Sequence, residues 1–277
     1  MVRRPIFGYH AIAYSTVAIA FLGFMVWAHH MFTTGIDPRV RMGFMLMTMV
    51  IGVPTGVKIF NWIATMWGGE MRFTAPLLWS IGFISMFVIG GIDGVFMASI
   101  PIDYQLHDTY WVVAHLHYVL FGGSVLGVFA GVYYWWPRMT GRMYDRNLAL
   151  AHFWLTIIGL NMVFMTMHFL GTAGMPRRVY DYREIYTGMN TFATLGAFVL
   201  GIGQVPFLVN VFTSLRRGRS GRSSSPPPAS RSRPSSWAAT PPRPGAAWAA
   251  ATTGRTATGR SRRTSRSRPR SSSGRTA

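Results

Sequence analysis

Residues 107–118 read H-D-T-Y-W-V-V-A-H-L-H-Y, in a chain whose other long stretches are mostly apolar. His115 and His117 are two residues apart. Each residue of an α-helix turns by about 100°, so the two imidazoles point roughly 200° apart, to opposite sides of one helix. They cannot easily share one metal. Each faces a different neighbour, and the reading is of one helix clamped between two cofactors.

Composition narrows the chemistry. The 277 residues include no cysteine, which excludes disulfides, thiolate-ligated haem, iron–sulfur clusters and thiolate copper sites within this chain. Any metal must be held by histidine, carboxylate or carbonyl groups. Half the residues are hydrophobic, with 18 Met, 19 Phe and 10 Trp. The net charge of +19 is unevenly spread. All eight acidic residues precede position 219, and residues 219–277 carry arginine as their only charged residue type. The chain therefore reads as two unlike parts.

A hydrocarbon core roughly 30 Å thick needs about 20 apolar residues in a helix. Six stretches qualify, at about 9–32, 42–67, 74–98, 110–136, 148–170 and 189–212. Only Lys58 and Asp93 place a formal charge inside them. Breaks rich in Gly, Pro and charge separate them, such as Gly35-Ile36-Asp37-Pro38 and Met175-Pro176-Arg177-Arg178. The expected fold is an all-α membrane protein of six transmembrane helices with a disordered tail over 219–277. Six spans put Arg3, Arg4, Arg72, Arg138, Arg142, Arg146, Arg216 and Arg217 on one side. Arg39, Arg41, Arg177, Arg178 and Arg183 fall on the other, and the larger group is assigned to the cytoplasm. This topology sets His29, His30, His107, Asp108, His115, His117 and the Arg177–Arg178 pair at one depth, toward the outer face. Their convergence argues for a single site.

The residue types fit metal chemistry. Adjacent His29 and His30 can both bend toward one metal beside their helix, and neutral imidazoles without a carboxylate suit copper, zinc or haem iron. Ionisable groups in mid-membrane are costly and usually functional, and His115 and His117 on opposite faces fit two axial haem ligands. Arg177 and Arg178 suit carboxylates such as haem propionates. An ionised Lys58 deep in the second span costs about 2.5–3.5 kcal/mol on insertion scales. Thr55 lies on the same face, and Pro54 leaves the Val50 carbonyl without its usual helix donor, so the three could hold water on a proton path. His107 and Asp108 could bind a hard divalent ion or cap the following helix, and the sequence alone favours the cap. Asp103 is equally ambiguous. His10, His152 and His168 have no cluster partner and read as structural.

Together these residues resemble subunit 1 of the haem–copper oxidases, most closely the cytochrome c oxidase type. The motifs are V-W-A-H-H-M-F-T-T-G at 26–35, P-T-G-V-K-I-F-N-W at 54–62, H-D-T-Y-W-V-V-A-H-L-H-Y at 107–118 and G-M-P-R-R at 174–178. The resemblance covers about residues 5–217. It implies that His29 and His30 are two ligands of the active-site copper, and that His115 is the axial ligand of the oxygen-binding haem. It makes His117 one axial ligand of a low-spin haem, and Arg177 and Arg178 the propionate partners. Thr55 and Lys58 match a proton channel, and His107 and Asp108 match a magnesium or manganese site shared with subunit 2. The implied cofactors are two haems (a-type), copper, and magnesium or manganese. The implied reaction reduces dioxygen to water with electrons from cytochrome c and pumps protons. The implied partners are oxidase subunits 2 and 3, cytochrome c or a cytochrome c domain, and membrane lipid in a bacterial cell membrane. No nucleic acid partner is expected.

Departures from the family shape further expectations. The six spans match the second half of a twelve-helix bundle, and no H-P-E-V-Y motif supplies a third copper histidine with its tyrosine. The second ligand of the low-spin haem and the acid of the second proton path are also lacking. The chain alone is therefore expected not to reduce oxygen and to need the missing N-terminal half of subunit 1. Asp93 stands where the family tends to have a small or hydroxyl residue, and a carboxylate there needs a partner or a proton. The Arg/Ser/Pro-rich tail, with no acidic D/N-P-W…L-E-W segment, matches a GC-rich gene read out of frame. A quinol-oxidising subunit of the same family and a non-catalytic truncated or split membrane fragment are the alternatives. Nitric oxide reductases share the histidines but not the Lys58 motif.

Overall fold

A computed structural model describes residues 1–218 as helices joined by short turns. The expectation for residues 219–277 lies outside the described residues. The α-helices are α1 (Tyr9–Gly23), α2 (Pro38–Val50), α3 (Gly52–Met66), α4 (Ala75–Ala98), α5 (Ile100–Leu106), α6 (Tyr110–Val119), α7 (Leu126–Thr140), α8 (Arg146–Thr172) and α9 (Thr187–Arg217). A 3₁₀ turn spans Trp27–Met31, and a π turn, Leu120–Val125, joins α6 to α7 without ending the rod. Five helical rods among the described residues are long and apolar enough to cross a membrane: Pro38–Met66, Ala75–Ala98, Tyr110–Thr140, Arg146–Thr172 and Glu184–Arg217.

The first predicted span differs. Helix α1 has 15 residues, about 22 Å at 1.5 Å per residue, and ends at Gly23. The chain then tightens into the 3₁₀ turn that carries His29 and His30. Hydropathy detects apolar residues over 9–32, but not that the backbone changes its pitch where it must present two adjacent imidazoles. The second span is also divided, between Val50 and Gly52. Pro54 lacks the N–H that would bond the Val50 carbonyl, which places the weak point at that junction.

Local signals set several boundaries. Asp37 caps α2 by accepting from the Arg39 and Val40 amides, with Pro38 in the first turn. Asp145 caps α8 through the Leu148 amide, at 2.9 Å. Gly141 ends α7 in a left-handed conformation, φ 69°. Near the chain start, Arg3 and Arg72 both pair with Glu70, so three charges meet beyond the apolar stretches. Their side chains are more than 40% exposed, so these pairs contribute little stability.

The core lies among α4, α6, α7 and α8, around Trp79, Tyr118, Leu126 and Leu160, all fully buried. Exposed Phe, Leu, Ile and Val on α1, α3 and α9 form apolar outer faces suited to lipid. Helices without a hydrophobic drive between them associate by close packing of small residues. A Cβ at Gly159 would lie 2.5 Å from the Leu200 amide nitrogen, and one at Gly196 would lie 2.5 Å from Met162 Cβ. Backbone cannot move aside as a side chain can, so Gly159→Val should force α8 and α9 apart. Overpacking of this kind costs about 1–3 kcal/mol or more. Thermal unfolding in detergent should show a lower Tm for Gly159→Val and a Tm near wild type for Gly127→Ala, where a Cβ meets nothing within 4 Å. Equal Tm values for the two variants would contradict this packing account.

Candidate metal centre

His115 is the most constrained of the predicted ligands. Its Nδ1 lies 2.9 Å from the Gly90 carbonyl oxygen of α4. A carbonyl can only accept, so Nδ1 carries the proton and Nε2 keeps a free lone pair. The approach is possible because α4 is stripped of side chains there. A Cβ on Gly94 would stand 3.0 Å from His115 Cε1, and one on Gly90 would stand 2.9 Å from Tyr118 Cβ. The free Nε2 and the orienting carbonyl are what an axial haem ligand requires, so the residues fit the group.

His117 faces the other way, as the two-residue spacing predicts. Its Nδ1 lies 2.8 Å from the Val113 carbonyl of its own helix, again leaving Nε2 free. The ring is exposed and stacks on Phe164, with centroids 4.2 Å apart and planes 15° from parallel. It therefore fits a haem on the outer side of this bundle, where a second ligand would have to come from elsewhere.

The 3₁₀ turn brings His29 Nε2 and His30 Nε2 to 3.1 Å from each other. Two imidazole nitrogens that converge in this way can chelate one ion, and their neutral, carboxylate-free character suits copper. Thr48 Oγ1 lies 3.4 Å from His29 Nδ1. His29 lies within electrostatic range of His115, and His30 within range of Arg177, Asp103 and His107. The structure thus gathers the histidine pair, His115 and the outer-loop charges. Lys58 and Thr55 stand apart on α3. Lys58 Nζ sits 5.6 Å from the Trp62 ring centroid, and Thr55 Oγ1 donates to the Ile51 carbonyl of its own helix.

The loops before α6 and after α8 form a latch between residues too distant in sequence for local patterns to pair. Arg177 Nε donates to Asp108 Oδ1 at 2.8 Å, and the Arg177 amide donates to the Asp108 carbonyl at 2.8 Å. The Tyr110 amide donates to the Met175 carbonyl at 3.0 Å, beside a bridge between Thr109 and Pro176. Both Asp108 and Arg178 adopt left-handed backbone, φ 57° and 62°. Asp108 is therefore turned toward Arg177 and does not cap α6. Thr109 does so, accepting from the Trp111 amide at 3.3 Å. This corrects the capping preference read from the sequence.

His107 has its nearer carboxylate in Asp103, with Nδ1 to Oδ2 at 3.0 Å, and its Nε2 is 3.8 Å from Asp108 Oδ2. Among the described residues, no three His, Cys, Asp or Glu side chains are placed to hold one ion. Burial pushes the Asp103 carboxyl above its ordinary range, against the opposing pull of His107. The hydrogen bond from Arg177 holds Asp108 below the ordinary carboxylate value.

Two residues read as structural or unassigned meet in the interior. His168 Nε2 and Asp93 Oδ2 are 2.7 Å apart, both nearly buried, across α8 and α4. Their 75-residue separation hid the pairing, and the only sequence signal was two ionisable residues in apolar stretches. His152 is also partnered, by Tyr133 Oη at 3.0 Å and Gln204 Oε1 at 3.2 Å. That places it in a satisfied core network, in keeping with a structural reading.

A depressed carboxylate pKa stabilises the fold above the unfolded value, and the contribution is lost as pH falls through the folded value. Hydrogen exchange at the Arg177 amide should therefore stay slow as pH falls to about 3.9, the ordinary Asp value, and quicken only below it after correction for intrinsic rates. Asp108→Asn should raise the corrected rate above about pH 3.9, where wild-type Asp108 is ionised, and converge with wild type at lower pH, flattening the dependence. An unchanged profile in Asp108→Asn would remove the latch from the account.

Comparison with known proteins shows the family. Residues 1–199 match the family model described as "Cytochrome C and Quinol oxidase polypeptide I". "Cytochrome c oxidase subunit 1" of Thermostichus vulcanus is 54% identical over 217 residues, covering 78% of this chain and 39% of that protein. The protein of the same name from Synechocystis sp. is 54% identical over 216 residues, again 78% of this chain and 39% of the relative. "Cytochrome c oxidase polypeptide 1" of Halobacterium salinarum is 51% identical over 215 residues, 78% of this chain and 36% of the relative. The chain thus spans less than half the length of these relatives. A solved heme-copper terminal oxidase dimer superposes with a TM-score of 0.69 at 21% identity, covering 78% of this chain and 44% of that one, and so shows the same fold. The chain is an integral membrane protein that belongs to the cytochrome c and quinol oxidase polypeptide I family, the haem–copper oxidases.

Proposed function

We infer that this chain is a haem- and copper-holding polypeptide of a respiratory terminal oxidase that reduces dioxygen to water. The supporting observation is the convergence of His29 Nε2 and His30 Nε2, 3.1 Å apart, within charge range of His115. When bound, haem and copper supply the electrons and the binding position that dioxygen reduction needs. The protein's own part is orientation. His115 is held by Gly90 with Nε2 open, His117 presents Nε2 on the opposite side, and the 3₁₀ turn aims two imidazoles at one point. Further ligands for the copper and for the His117 haem come from residues other than those described.

The remaining roles follow the same reading. Arg177, steadied by Asp108, and Arg178 place positive charge where haem propionates would lie. His107 and Asp108 are the proposed magnesium or manganese ligands, with further ligands from residues other than those described. Such an ion would compete with Arg177 for Asp108. Lys58 and Thr55 are the proposed proton path for uptake and pumping, with Lys58 resting against Trp62 until water reaches it. The proposed haems are a-type and the proposed electron donor is cytochrome c, after the names of the relatives. Subunits 2 and 3 are the proposed partners and a bacterial cell membrane the proposed setting.

Haem and copper titrations of the purified full chain in detergent test this directly. The chain should bind haem with a shifted Soret band that His115→Ala abolishes and His117→Ala leaves in place. Copper(II) affinity should fall by about tenfold or more in His29→Ala or His30→Ala, a loss of about 1.4 kcal/mol per factor of ten. Haem uptake indifferent to His115→Ala, or copper uptake indifferent to both histidines, would contradict the reading.

A further inference from the structure

The Asp93–His168 pair has no place in the proposed reaction, yet it packs against the face of α6 that carries His115. Trp111, His115 and Tyr118 are spaced i, i+4, i+7 and so share one face of α6. The His168 ring, from α8, lies against two of the three. It meets Trp111 edge-on at 4.8 Å between centroids and lies 5.4 Å from Tyr118. It therefore packs between the residues one turn before and one turn after the proposed haem ligand. Asp93 lies on the other side, three residues after Gly90 and therefore on the same face of α4. Gly90 is the residue whose carbonyl orients His115.

His168 Nδ1 is buried without a partner among the described residues, so the bond to Asp93 is what fixes the rotation of the ring. Packing against Trp111 and Tyr118 positions the ring, and in a bilayer interior no water competes with its one hydrogen bond. The pair ties α4 to α8 at the level where α4 must hold its carbonyl against α6. The glycine contacts leave no slack there, because Gly90 and Gly94 already lie against Tyr118 and His115.

We propose that Asp93 and His168 are positioning residues for His115, locking the α4 turn so that the Gly90 carbonyl keeps the proton of His115 on Nδ1 and Nε2 open. The proposal deepens the haem-ligand reading of His115 and rests on it, but its test is read without haem. Outer partners of this kind, when lost, typically lower ligand affinity about 10–100-fold.

The test uses the haem-free full chain in detergent, labelled with nitrogen-15 histidine, with His115→Gln identifying the His115 signals. Wild type should show a single Nδ1–H tautomer at His115. Asp93→Leu should convert it to a mixture of tautomers. Asp93→Asn, whose amide oxygen can still accept from His168 Nε2, should restore the single form, which a merely space-filling role would not predict. His168→Phe keeps an aromatic ring between Trp111 and Tyr118 without the bond, so it should also give the mixture. It keeps the question open to decision even if Asp93→Leu fails to fold. A single Nδ1–H tautomer in His168→Phe, and in Asp93→Leu where it folds, would overturn the proposal whether or not the chain takes up haem. Loss of haem binding with the tautomer results as expected would instead count against the haem reading alone.

Discussion

The hydrogen bond from His115 Nδ1–H to the Gly90 carbonyl, at 2.9 Å, is the constraint on which the rest of the arrangement turns. An imidazole offers a defined nitrogen to a metal best when the other is settled as a donor. In an apolar bilayer interior no water does this, so a backbone carbonyl must be brought to the ring. That demands contact between α4 and α6 at a spacing side chains would forbid. Gly90, Gly94 and Gly122 provide it, since a Cβ at each would lie 2.7–3.0 Å from Tyr118, His115 or Met86. The glycines are thus a condition of the chemistry as well as of the packing.

Around this contact the chain separates two kinds of polar placement. Within the bundle, ionisable groups find polar partners: Asp93 with His168, and His152 with Tyr133 and Gln204. In the loops before α6 and after α8, charged groups are paired as well. Asp108 and Arg177 close a latch, Asp103 engages His107, and the two imidazoles of the 3₁₀ turn converge on an open point. His117 stands exposed, with Nε2 free, stacked on Phe164.

Much of this was legible in the sequence because it depends on local periodicity. Five rods match the predicted stretches, and the opposite facing of His115 and His117 follows from helical rotation alone. What could not be read depends on backbone geometry or on distant pairing. Hydropathy treats residues 9–32 as one apolar run, yet α1 stops at Gly23 and the backbone tightens before His29. Asp108 looks like a helix cap until its left-handed backbone turns it toward Arg177, 69 residues on. His168 looked solitary because its partner is 75 residues earlier on another helix. An alternation of apolar residues carries no information about which buried carboxylate meets which imidazole.

In the proposed function, His29, His30 and His115 serve one site, with the copper beside the haem. Electron paramagnetic resonance of the full chain carrying copper(II), before and after addition of ferric haem, measures this most directly. The account predicts a copper signal with nitrogen hyperfine structure that broadens or vanishes when haem occupies His115, because two paramagnetic ions at close range couple. A copper signal unchanged by bound haem would place the two metals in separate sites and contradict the account.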